Sequence, residues 1–235
     1  MYWTNLHKWV VRYSDDAEPN LEVFNRMVAV DSLTGLTNSG SNLFHLAATG
    51  EQPAVAEILL PCVPHYLINQ PNHNGDTPFH WACVSGNTKI VSLYLKAGAE
   101  INCRNSEGDT PLHCAARAGH TAVIKKLFKQ RSKPLKINLK NKILHCPLRL
   151  ACQERNTKTI RYLISQGARY QGILQQAVRD QDKYTVKRIV QAIQKHPQNP
   201  HLHEYNPLPL AVKLNHKNII KILAQVEAGR VAPTE

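Results

Sequence analysis

The chain has 235 residues, 43% of them hydrophobic and only 6% aromatic, with a formal net charge of +12. A core must therefore be built from aliphatic side chains, and no stretch offers the ~18 consecutive apolar residues of a membrane span or the unbroken apolar run of a secretory leader. The charge is divided unevenly, with 6 basic and 11 acidic residues before Pro111 and 23 basic and 6 acidic from there on, an asymmetry that bears on acidic partners and not on fold.

In chain order, Trp3, Leu6, Trp9, Val10 and Tyr13 fall at helical spacing, as do Leu21, Phe24, Met27 and Val28, with a turn between Asp15 and Asn20. Residues 1–37 are expected to form a helical cap over the element that follows. The other reading of this segment is an exposed aromatic helix that binds a partner.

A repeat begins next. Asp76-Thr77-Pro78-Phe79-His80-Trp81-Ala82-Cys83 recurs as Asp109-Thr110-Pro111-Leu112-His113-Cys114-Ala115-Ala116, an offset of 33 residues. Upstream, Asn42-Leu43-Phe44-His45-Leu46-Ala47-Ala48 keeps the His and the Ala pair but lacks the Pro. Downstream, Cys146-Pro147-Leu148-Arg149-Leu150-Ala151-Cys152 has Arg149 in the His place, and Leu174 to Ala177 and Pro207 to Ala211 are fainter copies. Proline in a first helical turn sacrifices no hydrogen bond, the Thr before it can cap, and Gly86 and Gly119 suit left-handed helix ends. A second apolar helix follows each motif: Val55, Ile58 and Leu59; Ile90, Leu93 and Tyr94; Val123 and Leu127; Ile160 and Leu163; Val186, Ile189 and Val190; Ile219, Ile222 and Leu223. The spacing before Gln175 is short, which predicts that this unit has lost its loop hairpin.

The 33-residue period and the Thr-Pro-Leu-His-x-Ala core resemble the ankyrin repeat. The resemblance covers about residues 38–226 and implies an all-α solenoid of about six stacked helix-turn-helix units, followed by a disordered tail at 227–235. It also implies a non-catalytic, monomeric scaffold that binds a protein through hairpin tips and first helices on a concave side, with no cofactor and no small-molecule substrate. The matching positions are His73, Asn74, Asp76, Trp81, Val84 and Ser85; then Ser106, Glu107, Asp109, Arg117 and Ala118; then Gln153 and Glu154. His45, His80 and His113, one per unit, are expected to tie neighbouring loops together. A delivered effector of a host-associated bacterium, acting in host cytosol or nucleus, is compatible with the degenerate later copies.

The basic half offers a second surface. Lys125, Lys126, Lys129, Arg131, Lys133, Lys136, Lys140 and Lys142 follow one another without an acid. Lys125, Arg161, Lys187 and Lys221 share one register in successive units, a ladder that would suit an acidic protein, anionic lipid or nucleic acid. The absence of interleaved aromatics argues against single-stranded nucleic acid. Six cysteines without a Cys-x-x-Cys pair read as buried thiols in a reducing, cytoplasmic compartment. His196, His201, His203 and Glu204 lack the spacing of a metal site, and no nucleophile elbow, P-loop or dinucleotide fingerprint is present.

Overall fold

Helices start where the sequence supplies a cap and a proline. Thr77 and Thr110, both in extended conformation, precede Pro78 and Pro111, and Asn42 accepts hydrogen bonds from the Phe44 and His45 amides. In this computed structural model, residues 36–49, 53–60, 65–130, 134–196 and 206–230 are described. Nearly all of the expected cap, Arg131, Lys133, His201, His203, Glu204 and the last five residues lie outside them.

The described helices are α1 (Leu43–Ala47), α2 (Pro53–Leu59), α3 (His65–Ile68), α4 (Pro78–Ser85), α5 (Thr88–Lys96), α6 (Pro111–Arg117), α7 (Thr121–Lys129), α8 (Pro147–Gln153), α9 (Thr157–Ser165), α10 (Gln171–Arg179), α11 (Lys183–Lys195), α12 (Leu208–Lys213) and α13 (Lys217–Arg230). No strand occurs among the described residues, so the fold is all-α. Six helical pairs are present among the described residues, as the repeat predicts. Helix α13 runs through Arg230, into the stretch expected to be disordered, because no helix breaker as strong as proline intervenes before Pro233.

The described residues fall into two compact units: those up to Lys136 together with Lys140–His145, and Ile137–Leu139 together with those from Cys146 onward. In the first, α1, α4 and α6 pack in order, α2, α5 and α7 pack in order, and each pair closes as a hairpin. In the second, α9, α11 and α13 pack in order and α10 meets α12. The predicted apolar faces fill both cores. Val55, Leu59, Ile90, Tyr94, Val123, Leu127, Ile160, Leu163, Val186, Ile189, Ile219 and Leu223 are buried, while Ile58, Leu93 and Ile222 are half-buried. The Tyr94 hydroxyl donates to the Phe44 carbonyl and so ties the second pair to the first.

After the first helix of each later pair the chain turns through a left-handed residue. Gly86 (φ 80°) and Gly119 (φ 77°) meet the glycine expectation, whereas the next three units use Arg155 (φ 55°), Gln181 (φ 56°) and Asn215 (φ 54°). Only residues 166–170 join α9 to α10, so the fifth unit has no loop hairpin, as its short spacing predicts.

Four loop tips precede α1, α4, α6 and α8, at 37–41, 72–76, 105–109 and 141–145. In each, the first N–H reaches the fifth carbonyl and the fourth N–H reaches the first carbonyl, at 2.8–3.0 Å. The tips of the first unit stack through one bond per step: His73 N–H to Ser39 C=O (3.0 Å), Ser106 N–H to Asn74 C=O (2.9 Å) and Lys142 N–H to Glu107 C=O (2.9 Å). Glycine is required where the next tip presses in, since a Cβ on Gly75 would lie 2.6 Å from the Ser106 amide nitrogen and one on Gly108 3.0 Å from that of Lys142. At the same position the fourth tip carries Leu144, at φ 61°.

A candidate partner-binding face at the first helices and loop tips

The histidines set the frame. The amides of Asn42, Thr77 and Thr110 each donate to Nδ1 of His45, His80 and His113 over 3.1 Å, which leaves the ring proton on Nε2. Nε2–H then donates to the carbonyl of the next tip: Asp76 (2.7 Å), Asp109 (3.1 Å) and His145 (3.1 Å). Burial drives the His45 pKa down to about 4 and lowers that of His80. These rings are neutral tie-bars between tips, as the resemblance implies.

A second set of ties went unread in the sequence. Asn72, Asn105 and Asn141 open the second, third and fourth tips. Their side-chain carbonyls cap amides of their own tip, and their NH2 groups reach back to Ser41 Oγ (3.1 Å), Asp76 Oδ1 (2.8 Å) and Asp109 Oδ1 (2.7 Å). The signal was available: in the second and third tips Asn stands four residues before Asp.

Asp109 therefore departs from its expected place on a partner-facing surface. It is 1% exposed, because Asn141 binds one oxygen and Arg117 Nη2 binds the other at 2.6 Å. Asp76, in the equivalent position, is half-buried and accepts from Asn105 on its carboxylate.

Between α4 and α6 lies a cavity of about 350 Å³, lined by Thr49, Asp76, His80, Trp81, Val84, Ser85, Asn105, Cys114 and Arg117. Five predicted residues, Asp76, Trp81, Val84, Ser85 and Arg117, converge there. Trp81 is half-buried and edge-on to the His45 ring at 5.4 Å; the Arg117 side chain is 47% exposed, and Val84 is open to solvent. His73, Asn74, Ser106 and Glu107 are exposed on their tips, while Gln153 and Glu154 are exposed at the end of α8 in the other unit.

The cavity's thiol is not activated. Burial pushes Cys114 up to about 12, and Cys103, 3.9 Å from His80 Nδ1, up to about 11. With the imidazole pKa lowered and the thiol pKa raised, the pair is displaced away from a thiolate–imidazolium couple. Among the described residues no three His, Cys, Asp or Glu side chains gather as a metal site would require, and no helix is long and apolar enough to cross a membrane.

Of the basic set, Lys125, Lys126 and Lys129 on α7 are exposed, as is Lys136. Lys126 donates to Ser92 Oγ at 2.6 Å. Arg161, Lys187 and Lys221 are exposed on α9, α11 and α13, which pack in that order.

Comparison with known proteins agrees with this architecture. Residues 79–128, which span α4 to α7 and the cavity between them, match the sequence model of ankyrin repeats. The chain contains ankyrin repeats. It is 38% identical over 72 residues to the nuclear factor NF-kappa-B p100 subunit of Xenopus laevis, a match covering 29% of this chain and 8% of that one. It is 34% identical over 71 residues to alpha-latrotoxin-Lg1a of Latrodectus geometricus, covering 30% and 5%. The ankyrin-repeat chain thus spans less than a tenth of the length of these relatives.

Proposed function

We propose that this ankyrin-repeat chain is a protein-binding scaffold whose partner seats an apolar or aromatic anchor in the cavity between α4 and α6. Mediating protein–protein contact is the general role of the repeat. The observation that carries the reading is the lining itself: an indole wall, an open valine and a half-exposed guanidinium around about 350 Å³. Such a combination of aromatic surface and arginine suits a hot spot. The histidine and asparagine ties fix the flanking tips before any partner arrives, which lowers the ordering cost of binding. The anchor's neighbour is acidic and meets the exposed side of Arg117. Among the described residues five cysteines are free thiols, three of them buried, which supports a reducing compartment.

The test is affinity capture with quantitative mass spectrometry on the full chain and on Trp81→Ala, Arg117→Gln and Lys187→Gln. Proteins retained by the parent and by Lys187→Gln, but lost from the two cavity variants, are expected. Equal capture by all four would refute the assignment.

A further inference from the structure

The fourth tip is unlike the other three. The exposed residues of the first three tips are polar: Asn38 and Ser39, His73 and Asn74, Ser106 and Glu107. The fourth presents Ile143, 62% exposed, and Leu144, 71% exposed, the most exposed of the large hydrophobic side chains among the described residues. Leu144 sits at φ 61°, where the other tips have glycine, so its backbone is strained and its side chain gains no burial in return. Its Cβ occupies the space into which the next tip presses at Gly75 and Gly108. No described N–H donates to the Ile143 carbonyl, so the fourth tip ends the row.

Positive charge adjoins this apolar pair. Lys140 and Lys142 stand just before it in sequence and are exposed, and no Asp or Glu occurs anywhere from Pro111 to Gln153. Two aliphatic side chains at an exposed turn, with lysines leading into it, match a surface that is apolar just beneath a layer of negative charge. A partner with a groove-bound peptide would need a concavity here, and a convex tip provides none. A fluid interface needs only a protrusion, with aliphatic groups entering the acyl boundary and ammonium groups among the phosphates.

We propose that the Ile143–Leu144 tip is a membrane-contact finger that inserts reversibly into an anionic lipid surface. This assignment is independent of the α4–α6 cavity. A single finger of two aliphatic residues gives weak, salt-sensitive attachment, strengthened where several chains or a bound partner act together.

The experiment is flotation of the full chain with vesicles of phosphatidylcholine alone and vesicles that also contain phosphatidylserine, at low and high salt. The parent should float with the anionic vesicles at low salt only. Leu144→Gly with Ile143→Ser should lower that partition by about tenfold and, because glycine relieves the left-handed backbone, raise the melting temperature. Lys140→Glu with Lys142→Glu should lose binding with the fold intact. Trp81→Ala should float like the parent, which separates this result from the cavity reading. An Ile143→Trp chain should show a blue-shifted emission with anionic vesicles. No flotation at low salt, or equal flotation by the Gly/Ser variant, overturns the proposal. So does capture of a peptide alternating glutamate with leucine in place of vesicles, which would assign the tip to an acidic protein.

Discussion

Replacing Asp109 with Ala tests whether its burial is structural. The substitution removes two acceptors at once. The Arg117 bond is charge-assisted, but its guanidinium is 47% exposed, so solvent screening limits its share to about 0.5–1 kcal/mol. The Asn141 amide is 5% exposed and loses its partner at 2.7 Å, leaving a desolvated donor at a cost of about 1–3 kcal/mol. Together these give about 1.5–4 kcal/mol for Asp109→Ala. Asp109→Asn keeps an oxygen for Asn141 and turns an NH2 toward Arg117, so it should cost about 1–2 kcal/mol. Urea unfolding followed by circular dichroism gives the totals, and hydrogen exchange in α4 and α6 localises them. An Ala variant within about 0.5 kcal/mol of the parent, or an Asn variant as damaging as Ala, would refute the reasoning.

The remaining expectations concern stability. The pKa of His45 is lowered from 6.5 to about 4 by burial, so the unfolded chain takes up its proton first as pH falls. Its contribution is complete above pH 6.5 and is lost between 6.5 and 4, by about 2 kcal/mol at pH 5. His45→Gln should flatten that part of the difference in urea midpoint between pH 7.5 and 5. Tyr94→Phe leaves the buried Phe44 carbonyl without the tyrosine hydroxyl and should lower stability by about 1–2 kcal/mol, measured by thermal melting. Gln181→Gly should stabilise by about 0.5–1 kcal/mol, the relief of a left-handed backbone less the added freedom of the unfolded chain. Asn215→Gly, starting from a residue that tolerates that conformation, should change stability by less than about 0.5 kcal/mol.

Much of this molecule could be read from its letters, and the failures have a common cause. Helix starts at Thr77-Pro78 and Thr110-Pro111, the buried second-helix faces and the histidine ties follow from local rules: a cap, a proline, a period. Asp109 could not be placed that way. It shares its motif position, and an asparagine donor from the following tip, with Asp76, and only the arrival of Arg117 in space separates a buried carboxylate from a half-open one. Leu144 is hidden for a related reason. The fourth copy shows its kinship through its helix motif, and the tip register, where leucine replaces glycine, lies in the hydrogen bonds common to the four turns.

The missing side chains at Gly75 and Gly108 carry a lesson for anyone who would lengthen this array. Each vacancy is the socket for the backbone of the following unit, so a duplicated segment can be spliced in behind either of those turns and find its seat ready. Behind Leu144 the socket is plugged. An insertion there must first change that leucine to glycine, and a truncated array that stops earlier leaves an empty socket facing water.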